Sequence, residues 1–194
     1  MKMFSGFTNK TAENLLMHAG AFFKNFDVEN DTFDSAVEAG KLLGASRGGG
    51  EFSAVPELRS IEVDGVRGKA KGLQVIDSWE VKLTANIMEV TTSVLADALA
   101  ASETDSTTNV DYNIVKGKNV INLTDYIDNI TFVGTLSGSD KPVIIQVYNA
   151  LNSNGLTLTT EDKSESVITL EFEGHFDANK LDEPPFAIYY PKAA

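Results

Sequence analysis

Four small constellations in this sequence carry residue types that chemistry uses. Gly48-Gly49-Gly50 offers a backbone free enough to wrap a phosphate, but a phosphate loop needs G-x-x-x-x-G-K-[ST], and here Glu51 and Phe52 follow the glycines. Three glycines in a row instead permit positive φ or the close approach of another chain. Arg47 and Phe52 on either side are a cation and an aromatic of the kind that anchors interfaces. Asp27, Glu29, Asp31 and Glu38 fall at positions one, three, five and twelve of a calcium loop, with Thr32 where the tight turn needs glycine. That segment reads first as a plain acidic loop, with calcium as the alternative. His18 and His175 are the only imidazoles and there is no cysteine, so a zinc ligand set is lacking; His18, inside an apolar stretch, is expected in the core. Glu171 and Glu173 alternate with Leu170 and Phe172, which makes them the wet face of a strand rather than an acid/base pair. No G-x-S-x-G elbow frames a nucleophile. The expectation is a protein that is not an enzyme, with no catalytic residues, no metal and no cofactor.

The elements that would position these residues are mostly strands. Leu73, Val75, Trp79, Val81 and Leu83 alternate with polar partners over Gly72–Thr84, and the apolar phase slips after Ala85, which suggests a bulge or a change of sheet. The period then becomes helical, with Val94, Leu95, Ala98 and Leu99 on one face, predicting one short helix over about Thr92–Ala101. SETDSTTN reads as a solvated loop, and LTDYIDN as a single helical turn. Alternation resumes around Ile130–Leu136, Val143–Val147 and Ile168–Phe176, separated by turn compositions, which predicts an antiparallel meander. Asp64-Gly65 is a hairpin turn. Just beyond it Arg67, Lys69 and Lys71 form the one dense basic patch, which reads equally as a contact for an acidic surface on a neighbouring copy or as a solvated hairpin arm. The long connection from Asp27 to Arg47 predicts an arm, helical or extended in its middle.

The chain has 194 residues, 42% of them hydrophobic, which is enough for one domain with a sizeable core. Sixteen Lys+Arg against 28 Asp+Glu give a net charge of −12, which disfavours a nonspecific grip on nucleic-acid phosphates. No window approaches eighteen consecutive apolar residues, and the first twenty lack an apolar run of signal-peptide length. The expectation is a cytoplasmically made protein with no membrane contact.

Several segments in order resemble the major tail (tail tube) proteins of long-tailed bacteriophages. They are GASRGGGEF from Gly44 to Phe52, PELRSIEVDG from Pro56 to Gly65, KGLQVIDSWEVKLTANIMEV from Lys71 to Val90 with the helix after it, and EFEGHFD from Glu171 to Asp177. Together they span about residue 15 to residue 177. The resemblance implies a single mainly β domain over 1–194, with two packed antiparallel sheets forming a sandwich or barrel flanked by one helix. An extended arm at about 27–55 and a C-terminal arm at about 178–194 go with it. It further implies a structural virion protein that stacks as hexameric rings into a tail tube, with an extended loop touching the adjacent ring. The best match to that loop carries Gly44, Arg47, Gly48, Gly49, Gly50 and Phe52, so deleting Gly44–Phe52 is expected to stop tube growth and leave the fold intact. Implied partners are further copies of the chain and other tail proteins such as the tape measure and tail terminator. DNA passes through during ejection without specific binding, and assembly takes place in the host bacterial cytoplasm. The rival reading is a monomeric acidic β-sandwich binding module, with calcium at Asp27, Glu29, Asp31 and Glu38.

Overall fold

A computed structural model describes residues 5–192 of the chain; the last two residues of the expected C-terminal arm, and the first four of the domain, lie outside that range. Nine strands and two short helices follow one another in the chain. They are β1 (Leu16–Lys24), α1 (Phe33–Glu38), β2 (Ser46–Ser60), β3 (Gln74–Ile87), α2 (Thr92–Ala98), β4 (Ser102–Asp105), β5 (Ile114–Gly117), β6 (Ile127–Leu136), β7 (Val143–Asn152), β8 (Ile168–Glu173) and β9 (Phe186–Tyr189). The mainly β expectation holds. Its two packed layers are two halves of one antiparallel sheet, in the order β1-β6-β7-β8-β3-β2.

The sheet curls because β7 changes neighbour along its length. Ile144–Val147 pair with β9, whereas Leu151 and Asn152 pair with the end of β8. Alternating apolar residues from both halves then face one another, and Val81, Leu83, Ala85, Ile87, Ile130, Val147, Ile168, Leu170 and Phe172 fill the interior with Phe22. The sheet's two ends also meet. The Leu43 N–H donates to the Phe22 carbonyl at 2.9 Å, and the Lys24 N–H to the Lys41 carbonyl at 2.8 Å, so the segment just ahead of β2 lies on β1 and closes a barrel.

α2 follows the prediction, with the Thr91 hydroxyl accepting the Val94 N–H as N-cap. α1 is a second helix, capped by Thr32 and Ser35 in a reciprocal box. Its Ala36 is buried with Phe23 and Phe26 on the outer face of β1. Adjacent residues Phe22 and Phe23 thus serve opposite faces of the same strand, one in the barrel core and one under α1. The expected arm over 27–55 is therefore not extended throughout: it folds down as a turn, α1 and the start of β2. The C-terminal stretch likewise docks, since β9 hydrogen-bonds along β7. β4 and β5 form a small separate hairpin where a solvated loop was expected, held to α2 by the Ser102 hydroxyl donating to the Ala96 carbonyl at 3.1 Å.

Candidate functional site

β2 and β3 pair over nearly their whole length, from Ser46 opposite Ile87 to Ser60 opposite Gln74. Among the described residues only Lys82–Ile87 of β3 have a second strand partner, β8. Beyond that point the two strands leave the barrel as a free ribbon. At about 3.3 Å per residue, β2 runs roughly 45 Å from root to tip. The point of departure is plugged by aromatic rings: Phe186 stands 5.8 Å from Phe52 and 5.4 Å from Trp79.

The contact residues expected from sequence divide between the two ends of this ribbon. Gly44, Arg47, Gly48, Gly49, Gly50 and Phe52 all lie at the root. Gly48 and Gly49 take φ of 79° and 69°, the left-handed region glycine tolerates, and the register with β3 shifts there. A Cβ on Gly50 would stand 2.0 Å from the Thr84 carbonyl oxygen and 2.6 Å from the Phe22 ring, so glycine is required for β1 and β2 to meet. Gly44 is buried, and next to it the Ala45 N–H donates to Glu89 at 2.8 Å. Arg47 is paired with Glu165 at 3.1 Å on the surface. The glycine segment is thus barrel closure, not a free loop, and its deletion would remove part of the fold it was expected to spare.

Arg67, Lys69 and Lys71 lie at the opposite end, exposed in the 61–73 connection at the ribbon tip. The Asp64-Gly65 turn is in place, with the Val66 N–H donating to the Val63 carbonyl at 3.1 Å, but the strand resumes only at Gln74. The ribbon's apolar residues are open to solvent: Leu58 and Ile76, directly opposite one another, are 54% and 51% exposed, and Val55, Ile61, Val63 and Val66 are also exposed. A bidentate Arg59–Asp77 pair (2.8 and 3.1 Å) and a Ser78 hydroxyl donating to Glu57 at 2.8 Å tie the two strands together.

Two of the four calcium positions, Asp27 and Asp31, are spent on local structure, while the Glu29 and Glu38 side chains are exposed. Asp27 accepts the N–H groups of Glu29 (2.9 Å) and Asn30 (3.2 Å) and the Asn30 side-chain amide (2.7 Å). Asp31 accepts the Asp27 N–H at 2.8 Å and the Lys41 ammonium at 2.5 Å. These donors hold both carboxyls below the usual range: for Asp27 the Asn30 amide counts most, and for Asp31 the Asp27 N–H followed by Lys41. Among the described residues no group of three or more His, Asp or Glu side chains converges as a metal site.

Two clefts open elsewhere. The larger, about 630 Å³, lies between α2, the helical turn Leu123–Asp125 and the end of β7. At its wall the Lys24 ammonium donates to Ser93 at 2.6 Å and to Asp97 at 3.0 Å. The same ammonium is shared between the Ser93 hydroxyl and the Asp97 carboxylate. The trio reads as a clamp between the end of β1 and α2. The second cleft, about 370 Å³, holds Tyr148 and His175. Burial, followed by the hydrogen bond to Tyr189, pushes the Tyr148 phenol up, while His175 Nδ1 contacts the Asn149 carbonyl oxygen at 3.1 Å and its ring meets Tyr126 edge-on at 5.1 Å. His18 is exposed on a bulge of β1 with φ of 63°, not in the core.

The ribbon, apolar along its sides and cationic at its tip, is the feature of this surface best suited to recognition. Neither known protein families nor curated proteins supply a match to this sequence.

Proposed function

We propose that the chain is a tail tube subunit of a long-tailed bacteriophage or a phage-like particle, assembling as stacked rings around a channel for DNA. The observation that carries this reading is the free β2–β3 ribbon. A two-stranded ribbon alone is marginally stable in water, and this one adds a row of half-exposed aliphatic side chains, which mark an interaction surface. A ribbon projecting from a closed barrel suits the head-to-tail, heterologous contacts from which rings and stacks are built. In this reading the ring-to-ring contact falls to the β2–β3 ribbon, while the glycine-rich root keeps the barrel shut.

The charge fits the same role. A conduit must let DNA slide, and carboxylates repel phosphates where a basic wall would hold them through counterion release. The 61–73 tip holds three cations against two carboxylates, so the rest of the chain is more acidic than the total of −12. Assembly in a bacterial cytoplasm and incorporation into the virion tail, with a tape measure and a terminator as neighbours, follow from this reading.

Electron microscopy of the purified protein at rising concentration is the test. Rings with a central hole, and stacks of them, are expected. Dispersed particles of about the subunit mass, 20.9 kDa, at every concentration would sink the proposal.

A further inference from the structure

The ribbon has a cationic end, and the body has an acidic patch at the far end of the same axis. Ser46 pairs with Ile87 and Ile87 with Ile168, so the ribbon root sits at the barrel end where β3 finishes and β8 begins. The end of β1 lies there too, clamped by Lys24 to Ser93 and Asp97 of α2. The turn that follows β1, and α1 after it, run from Asp27 to Glu38 with five carboxylates and no lysine or arginine. Lys41 neutralises Asp31 and Asp27 caps its own turn. Glu29, Asp34 and Glu38 stay exposed and have no ion-pair partner among the described residues. Phe33 and Val37, beside them on α1, are 53% and 39% exposed.

The tip presents the complementary set. Arg67, Lys69 and Lys71 are exposed and likewise unpaired among the described residues, with exposed Val63 and Val66 beside them. Three cations with exposed Val63 and Val66 at one end, where Glu62 and Asp64 are also exposed and leave an excess of one positive charge, thus stand against three carboxylates and two apolar side chains at the other. Within one chain they are held apart by the length of the ribbon.

We infer that the ribbon tip of one copy docks on the turn and α1 of the next, with Arg67, Lys69 and Lys71 against Glu29, Asp34 and Glu38 and with Val63 and Val66 against Phe33 and Val37. This deepens the tail tube reading and rests on it, naming the receiving surface of the ring-to-ring contact. A second copy is the occupant because the two surfaces match in charge and apolar content and lie at opposite ends of one subunit, the arrangement an open head-to-tail stack requires. Opposite charges fix the register of such a contact and speed the encounter, and salt weakens it.

Charge reversal tests the pairing. R67E/K69E/K71E and E29K/D34K/E38K, made separately, are each expected to abolish stacks in sedimentation velocity and microscopy, with circular dichroism unchanged. The protein carrying all six substitutions is expected to stack again, because both surfaces are reversed together. A zero-length carbodiimide reaction on wild-type stacks gives a readout independent of the variants, with cross-links expected from Lys69 or Lys71 to Glu29, Asp34 or Glu38. Wild-type stacks with undiminished stacking in the triple variants, no recovery in the sixfold one, or no such cross-links would overturn the docking inference alone. Absence of rings from wild type would overturn the tail tube reading, and the inference with it.

Discussion

Ala54 opposite Val81 and Leu58 opposite Ile76 are apolar pairs on the same two strands, in the same antiparallel ladder. Val81 is fully buried, yet Leu58 and Ile76 keep about half their surface in water. Both pairs belong to the β2–β3 ladder, so cross-strand pairing between these two strands does not make the difference. What differs is the layer behind. Val81 has Leu83, Phe172 and the rest of the barrel core around it, and the Val81 carbonyl accepts the Gly174 N–H at 2.9 Å. Past Trp79 no further strand is paired to the ribbon among the described residues. One hairpin therefore contains a segment that holds the fold together and a segment that contributes little until something covers it.

Substitutions at the two ends separate those roles. The largest loss of stability is expected from Phe172→Ala, which empties a fully buried position in the barrel: about 3–5 kcal/mol, lowering the melting temperature by roughly 10 °C in a calorimetric scan. Gly50→Ala is expected to cost about 1–3 kcal/mol by forcing Thr84 and the Phe22 ring aside. A urea midpoint equal to that of wild type would mean the barrel closes without that contact. Replacing residues 58–76 by a two-residue Asn-Gly turn removes the outer ribbon. It is expected to change unfolding free energy by under about 0.5 kcal/mol while eliminating stacked assemblies; a large destabilisation would show that the ribbon is part of the core after all.

The smallest effect expected is one of pH, read at the turn before α1. Asp27 and Asp31 have folded-state values below the ordinary carboxylate value. Their contribution is thus present above about pH 4 and lost as pH falls through the lowered folded values. Amide exchange at Glu29, Asn30 and Asp27, whose N–H groups these carboxylates accept, should speed up between about pH 4 and pH 2 relative to exchange in β6 and β7, after correction for intrinsic rates. Equal protection in both regions across that range would remove the turn's dependence on these carboxylates.

Much of this molecule was legible in the order of its residues. Period-two alternation marked β3, β6, β7 and β8 because a strand with one buried face has to alternate, and the helical spacing of Val94, Leu95, Ala98 and Leu99 marked α2. β4 was missed. Its polar sequence satisfies no core, and it forms because the Ser102 hydroxyl ties it to α2 and Asp105 takes the N–H groups of Thr107 and Thr108 at 2.9 and 3.0 Å. His18 was misplaced because a bulge between Met17 and Ala21 reverses the facing of the strand there. The contact residues were read as a glycine-bearing loop and a basic patch, and the structure places them at the root and the tip of one hairpin.

Sequence alone determined the β class, the turn at Asp64-Gly65, the acidic balance and the cationic cluster, since each depends on local composition or spacing. Tertiary structure decided which part of the hairpin is core and which is ribbon. The reason is that burial depends on where β8, β7 and β9 lie, and those contacts join residues distant in the chain, such as Ile87 with Ile168 and Trp79 with Phe186. It also decided that the glycines close the barrel while Arg67, Lys69 and Lys71 stand free at the other end, because the close approach of β2 to β1 and Phe22 is a property of the curled sheet and not of either strand.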